Sequence, residues 1–265
     1  MSLNCGVTTG HVIKVDDPDG MGRVKVRFDR LGSGKQSTDG FWAPVATLMS
    51  GPDRGSWVMP EPEDEVLIAF DNCDVNFPYV IGYLWNGKQK PPVSGIDEHT
   101  RRLKTVSGHI LEFADVKGKE KIHLQTQLGH QVTLDDTSGS GSISVVTKHG
   151  NSIQVDDTQD SITVQTQGKT VSIQLKDSGD IDIQTATGAV NVTCSQASIT
   201  ATSSLSITSA GSLDITASDM SITAGTLDIL AGLTMCEGVV QASAVIAQAV
   251  VGSAYTPAPG DTLGL

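Results

Sequence analysis

The sequence has few aromatic residues, and almost all of them lie in its first third. Nine of the eleven lie at or before Trp85, and only Phe113 and Tyr255 come later. Proline is also absent between Pro92 and Pro257. The chain therefore divides into an aromatic head with several prolines and a long stalk without proline. The Gly- and Pro-containing segment 86–95 marks the boundary as a linker.

Positive charge is scarce as well. The chain has a net charge of −12, and it contains no Lys or Arg from Asp177 to its end. Binding to nucleic acid depends on clustered Lys and Arg that contact phosphates. This composition therefore argues against a nucleic-acid partner.

Cysteines are few, and long apolar runs are absent. The four cysteines, Cys5, Cys73, Cys194 and Cys236, are far apart without metal-ligand spacing, which is typical of reduced thiols in a cytosolic protein. No basic-then-apolar leader begins the sequence, and no apolar run reaches the roughly 18 residues of a transmembrane helix. We therefore expect assembly in the cytoplasm, without a signal peptide.

What the stalk does contain is a repeat. Similar segments, each opening on Gly-His or Gly-Asn and ending in acidic residues, begin at 108, 129 and 150. Between them, and again after the third, lie segments of strict apolar/polar alternation that begin at 121, 142, 161 and 180. This period of two, rich in Ile, Val and Thr, predicts short half-buried β-strands. Beyond Gly188 the aliphatic residues recur every seven or eight positions, which leaves room for one short strand and a tight corner in each unit.

Such strands cannot be stable alone. Two buried aliphatic side chains contribute about 4 kcal/mol, whereas ordering each backbone residue costs about 1–2 kcal/mol. The strands must therefore stack on one another and face apolar partners across a narrow core. A single-chain β-helix and an intertwined trimeric prism both satisfy this requirement, and periodicity alone does not choose between them.

The head predicts a small β-barrel. Five strand candidates cover residues 10–15, 22–28, 41–47, 64–70 and 78–86, and turns rich in Gly, Asp and Pro separate them. Five short strands in about 80 residues suit an OB-fold-like Greek-key barrel. The fold class is therefore all-β, with a barrel of this kind followed by a β-helical stalk.

The head motifs resemble a known family. "GRVKVRF", "FWAPVAT", "WVMPEPEDEVLIAF" and "FPYVIGYLWNGKQKPP" follow in the order seen in the OB domain of contractile injection system spikes, and "TVSGHILEFAD" resembles the start of their β-helix. The family includes the baseplate spikes of contractile phage tails, the valine–glycine repeat proteins of type VI secretion and the spikes of phage-tail-like particles. The segment 244–263 resembles their C-terminal tip.

The resemblance implies a homotrimeric needle. Its OB heads would adjoin hub and tail-tube baseplate proteins, and its stalks would wind into a triple-stranded β-helix or prism. We expect a barrel over 1–90, a linker over 91–107, stalk repeats over 108–237 and a C-terminal tip over 238–265. The expected trimer core comprises Val190, Val192, Ile199, Leu205, Ile207, Leu213, Ile215, Ile222, Leu227 and Ile229. Val250, Val251 and Tyr255 would cap this core and offer a platform to a PAAR-type tip protein.

Two features depart from many relatives. A ring-forming hub domain often precedes the OB domain, whereas this sequence starts at the OB domain, so the hub is either another polypeptide or missing from a fragment. Some phage spikes also carry a lysozyme domain between barrel and stalk, for which residues 87–105 leave no room.

Catalytic and cofactor-binding constellations are not found in the sequence. His109 and His130 share one repeat phase and would mark equivalent corners, although three such imidazoles on a threefold axis could ligate a metal. The Asp pairs 135–136 and 156–157 favour side-chain turns over calcium, because the calcium-binding nonapeptide is absent. The acidic segment 61–65 has no second cluster facing it. We expect no enzyme activity and no cofactor.

The sequence therefore predicts a mechanical protein. Three copies would form the central spike of a contractile injection system, which touches the target membrane transiently. A free-standing trimeric fibre or adhesin is the alternative. A β-helical polysaccharide-active enzyme is less favoured, because the repeat region has a single Phe to line a sugar groove.

Overall fold

The computed structural model describes residues 6–28, 40–93 and 98–248. The chain divides into two compact units, residues 1–194 and 195–265. The strands described in the first unit form two antiparallel sheets and one short hairpin. Within the described ranges, no helix has the length and apolar character needed to cross a membrane.

The head forms a curled five-stranded sheet in the order β3-β2-β1-β6-β7. A parallel bridge between Val45 and Val80, with the Ala46 N–H donating to the Val80 carbonyl at 2.8 Å, draws the two edges together. All five predicted head strands are confirmed. The strands are β1 (Val7–Lys14), β2 (Arg23–Phe28), β3 (Phe41–Pro44), β6 (Glu65–Phe70) and β7 (Pro78–Tyr83).

The head has a small core because alternate residues of its strands point inward. Val24 and Val26 of β2, Val66 and Ile68 of β6, and their neighbours in the sheet have no exposed surface. A ring pair, Phe28 and Phe70 with centroids 5.3 Å apart, packs on this cluster. The complete cluster is Val12, Val24, Val26, Ala43, Val66, Ile68 and Val80.

A two-stranded hairpin, β4 (Ser50–Gly51) and β5 (Arg54–Gly55), projects between β3 and β6. Together with the barrel wall it forms a groove of about 640 Å³, whose lining includes Met21, Met49 and Trp57. Trp57 is 76% exposed. The head therefore offers an apolar groove on its surface.

The stalk repeats form a nine-stranded antiparallel sheet in simple sequence order. The alternating segments predicted as strands are confirmed, because each one pairs with the strand that precedes or follows it. The strands are β8 (Thr100–Lys104), β9 (Ile110–Ala114), β10 (Lys121–Gln125), β11 (Gln131–Asp135), β12 (Ser142–Val146), β13 (Ser152–Asp156), β14 (Ser161–Gln165), β15 (Val171–Lys176) and β16 (Ile181–Thr185).

The sheet begins inside the predicted linker. β8 pairs along its whole length with β9, and the Arg102 guanidinium donates to the Pro92 carbonyl at 3.1 Å. Two short 3₁₀ turns complete the described regular structure. They are Asp71–Cys73 in the head and Gln167–Lys169 in the stalk.

The thiol prediction is wrong at one position. Cys73 is disulfide-bonded, whereas Cys194 and Cys236 are free and exposed. The folded chain brings together residues that are distant in sequence, which the spacing of cysteines along a sequence does not reveal.

Residues 188–248 adopt no assigned helix or strand and are exposed throughout. Their aliphatic side chains find no cover within their own unit, as Ile207 (64% exposed) and Ile215 (64% exposed) illustrate. This segment therefore has the apolar/polar alternation that is typical of β-strands, but it pairs with no other strand in the single chain.

Candidate assembly interface

One face of the nine-stranded sheet, which we call the apolar face, is lined by two columns of apolar side chains. The register places Ile122 opposite both Phe113 and Leu134, and each later strand continues the column. The first column is Phe113, Ile122, Leu134, Ile143, Val155, Ile162, Leu175 and Ile181. The second is Leu103, Leu111, Leu124, Val132, Val145, Ile153, Val164, Ile173 and Ile183.

The apolar face is largely open to solvent in the single chain. Ile143 is 49% exposed and Ile153 is 48% exposed. Covering the exposed half of one such side chain is worth about 1 kcal/mol. An uncovered apolar surface that runs over nine strands is typical of an assembly interface.

The opposite face, which we call the polar face, finds its partners within the chain. Lys121 Nζ lies 2.6 Å from an Asp135 carboxylate oxygen, and Lys176 Nζ lies 2.6 Å from Asp182. Arg102 pairs with Glu112 in the same way. The hydrogen bond from Lys121, together with hydrogen bonds from Thr137, lowers the pKa of Asp135 to about 2. The polar face is therefore satisfied without a partner chain, and the apolar face is not.

Along one side of the sheet, the turns share one construction, which we call the Gly-turn row (105–109, 126–130, 147–151 and 166–170). In the first three turns, a Thr hydroxyl accepts from the backbone N–H four residues later, at 3.0 Å in each case. Gly108, Gly129 and Gly150 have φ values near +90°, which only Gly adopts readily. The 21-residue repeat in the sequence is therefore one hairpin with its turn.

His109 and His130 connect successive turns of this row. His109 Nδ1 accepts from the Gln127 backbone N–H at 3.2 Å, and His130 Nδ1 accepts from the Lys148 N–H at 3.3 Å. In the third repeat, Asn151 Oδ1 accepts from the Gln167 N–H at 2.9 Å. These residues are corner residues, as predicted, and they also form a ladder of side-chain acceptors.

On the other side of the sheet, every turn contains Asp or Glu. We call these four turns the acidic row (115–120, 136–141, 157–160 and 177–180). Asp135 Oδ1 accepts from the Thr137 N–H at 2.9 Å, and Asp156 Oδ1 accepts from the Thr158 N–H at 2.9 Å. The prediction of side-chain turns is therefore confirmed for Asp135 and Asp156. Among the described residues, no group of His, Cys, Asp or Glu is arranged to hold a metal ion.

In the head, Asp17 organises the turn between β1 and β2. Its carboxylate accepts from the backbone N–H groups of Asp19 (3.1 Å) and Met21 (3.0 Å) and from the Arg23 guanidinium (2.7 Å). These bonds, led by Arg23, hold the pKa of Asp17 well below its ordinary value. Arg23 also lies 5.7 Å from the centre of the Trp42 ring. The positive charge of Arg23 is therefore paired within the turn.

The sequence-predicted core residues lie beyond the sheet. In the single chain, all ten are between 58% and 79% exposed, and all of them except Val190 and Val192 belong to the second unit. Their role in a trimer core stays a prediction. The two columns of the apolar face were not among the predicted core residues, although the alternation in residues 108–185 carried the signal for them. Val250, Val251 and Tyr255, predicted to dock a tip protein, lie outside the described residues.

Comparison with known proteins identifies two matching families. Residues 8–85 match the type VI secretion system/phage-baseplate injector OB domain. Residues 121–175 match the phage baseplate V C-terminal trimerisation domain. Together the two matches cover half of the chain and coincide with the curled head sheet and with β10 to β15.

Three curated proteins are similar over parts of their length. The type VI secretion system spike protein VgrG3 of Vibrio cholerae is 31% identical over 114 residues, 40% of this chain and 11% of that protein. The actin cross-linking toxin VgrG1 of Vibrio cholerae is 29% identical over 114 residues, 40% of this chain and 10% of that protein. The type VI spike protein VgrG5 of Pseudomonas aeruginosa is 31% identical over 131 residues, 45% of this chain and 16% of that protein. The chain thus spans a small part of each relative.

Proposed function

Because the chain belongs to the family of type VI secretion and phage-baseplate injector spike proteins, we propose that three copies of it form the central spike of a contractile injection system. The stalk acts as a needle that enters the target envelope when the machine contracts. The role is mechanical rather than catalytic.

The uncovered apolar face is the observation that carries this proposal. In a threefold arrangement, the three sheets turn their apolar faces toward a common axis, and each column of one chain packs against columns of the other two. The match of residues 121–175 to a trimerisation domain supports the number three. A dry core shared by three chains supplies the burial that one thin sheet lacks.

The sheet geometry suits axial load. Successive strands of an antiparallel sheet are about 4.8 Å apart and joined by hydrogen bonds that run across the strands. If the strands lie across the needle axis, these hydrogen bonds point along it. Thrust along the needle then compresses a continuous ladder of hydrogen bonds from β8 to β16.

The two ends of the chain meet different partners in this proposal. The OB heads contact hub and tail-tube baseplate proteins, and the groove that contains Trp57 and Met49 provides an apolar contact surface for them. The C-terminal tip carries a PAAR-type protein. The particle assembles in the cytoplasm and touches the target membrane only during injection.

The mass of the purified chain in solution tests the proposal. We expect light scattering to give about three times the 27.7 kDa of one chain, and we expect a trimer band in unheated SDS. Co-purification with tail-tube and sheath subunits separates a spike from a free-standing fibre. A folded species with the mass of one chain at micromolar concentration would overturn the proposal.

A further inference from the structure

The two turn rows of the stalk sheet carry opposite charge. The Gly-turn row contains Lys148 and Lys169, both exposed, and no Asp or Glu in any of its four turns. Its remaining titratable residues are His109, His130 and His149. This side of the sheet is therefore neutral to positive along its whole length.

The acidic row is negative, most strongly in its last three turns. Those turns contain exposed Asp136, Asp157, Asp160, Asp177 and Asp180 and no cation. Only the first turn, 115–120, balances its carboxylates with lysines, Lys117 and Lys119. The negative charge therefore lies at the levels of β11 to β16.

One chain cannot pair its own rows. The rows are separated by strands of five or six residues, which is about 17–20 Å at the rise of a β-strand. A salt bridge requires a nitrogen and an oxygen within about 4 Å. The two rows of one chain therefore do not neutralise each other.

A closed ring of three identical chains brings the rows together. In cyclic symmetry each contact is heterologous, so that one side of a chain meets the opposite side of the next chain. Rotation about a threefold axis involves no shift along that axis, so turns at the same level become neighbours. In the sheet, turn 147–151 lies at a level between turns 136–141 and 157–160.

We propose that the Gly-turn row of each copy docks against the acidic row of the next copy and that this charge pairing forms the three corners of the trimeric stalk. The inference rests on the proposed trimer and specifies which surfaces of a second copy meet. Lys148 lies opposite Asp136 and Asp157 of the next chain, and Lys169 lies opposite Asp160 and Asp177.

The charged rows also disfavour one shift of neighbouring chains along the axis that the apolar columns would allow. The columns repeat every strand, so a slip by one hairpin, about 9.6 Å, leaves aliphatic side chains facing one another. A slip toward the N-terminal end of the sheet places Lys148 between turns 115–120 and 136–141, where Lys117 and Lys119 replace Asp157 as its neighbours. Attraction is lost and like charges approach, so this shift is disfavoured.

Charge reversal tests the pairing. In the full chain, Lys148→Glu with Lys169→Glu makes both rows negative, and we expect the melting temperature of the trimer to fall by about 5 °C or more at low salt (about 20 mM). At high salt (about 500 mM) the loss should largely disappear, because exposed charges are then screened. Adding Asp136→Lys, Asp157→Lys, Asp160→Lys and Asp177→Lys, which swaps the carboxylates placed opposite positions 148 and 169, should restore the low-salt melting temperature.

Lys117→Glu with Lys119→Glu is the matched control, because it changes the net charge equally but lies in a turn whose neighbours in the aligned trimer, turns 105–109 and 126–130, contain no Lys or Arg. We expect it to leave the melting temperature nearly unchanged. Zero-length carbodiimide cross-linking of the unmodified chain should join Lys148 or Lys169 to the acidic row of another chain. The cross-linked chains should migrate as a trimer band in SDS gels.

The outcomes separate the two proposals. A trimeric chain whose charge-swapped variant is not restored, or whose lysines do not cross-link to the acidic row, overturns the corner pairing and leaves the trimer intact. A chain that light scattering finds monomeric overturns both.

Discussion

At the scale of single residues, side-chain oxygens stabilise turns by accepting hydrogen bonds from backbone N–H groups. Asp17 accepts from several donors in the β1–β2 turn, and its side chain is only 4% exposed. In the stalk, Thr and Asp side chains do the same at the hairpin turns. The sequence contains these residues at the expected turn positions, but only the coordinates show which N–H groups they bind.

We predict that Asp17→Asn lowers the melting temperature by several degrees at pH 7, because the amide cannot pair its charge with Arg23. The folded-state pKa of Asp17 is depressed. Its contribution is therefore fully present above the ordinary carboxyl pKa near 4 and is lost as the pH falls below it. Thermal melts from pH 7 to pH 2 should show the difference between the variant and the unmodified chain shrinking on acidification.

Asp16→Asn is the matched control for this turn. The Asp16 side chain is 70% exposed and forms an ion pair with Lys14 at 3.0 Å. We expect this variant to melt like the unmodified chain at every pH, because an exposed ion pair contributes little. Equal losses in both variants would contradict the role assigned to Asp17.

At the scale of elements, each stalk strand has two unlike faces. Side chains on the polar face find partners within the chain, whereas side chains on the apolar face remain uncovered. Ser144 of β12 faces the polar side, between Thr133 and Gln154, whereas Val145 faces the apolar side, between Val132 and Ile153. The alternation in the sequence determined these opposite directions. It did not determine that nine such strands would join in one sheet, because strand pairing depends on turn geometry.

We predict that Val145→Asp abolishes the trimer, whereas the neighbouring Ser144→Asp leaves it intact. In the proposed trimer, the first substitution buries three unpaired carboxylates, each costing several kcal/mol. The second places its charge on a face that stays exposed. Light-scattering mass and unheated SDS gels measure the difference. If both variants stayed trimeric, the apolar face would not be the interface.

At the scale of the whole molecule, the folded single chain leaves much of its aliphatic surface uncovered. The buried core is confined to the head, at Val12, Ile68 and their neighbours, among the residues that the structure describes. The apolar face of the sheet and the side chains of residues 190–229 are exposed. In the proposed trimer, partner chains supply the missing cover.

We predict that Ile207→Asp combined with Ile215→Asp removes resistance of the trimer to heat and detergent. Both side chains belong to the predicted core of the C-terminal half of the stalk. Ser206→Asp with Thr208→Asp is the matched control, because these positions alternate with the aliphatic ones. A doubly substituted Ile variant that still migrates as a trimer in unheated SDS would remove these residues from the core.

The sequence by itself determined the all-β class, the five head strands, the stalk strands β9 to β14 and β16, and the likeness to injector spikes. These features depend on local alternation, turn residues and motif order, which are all written along the chain. The tertiary structure alone decided that Cys73 is in a disulfide, that the repeats form one open sheet and that its turns carry opposite charge on opposite sides. These features depend on which distant segments become neighbours, and that is set by hydrogen-bond register and packing among many residues at once.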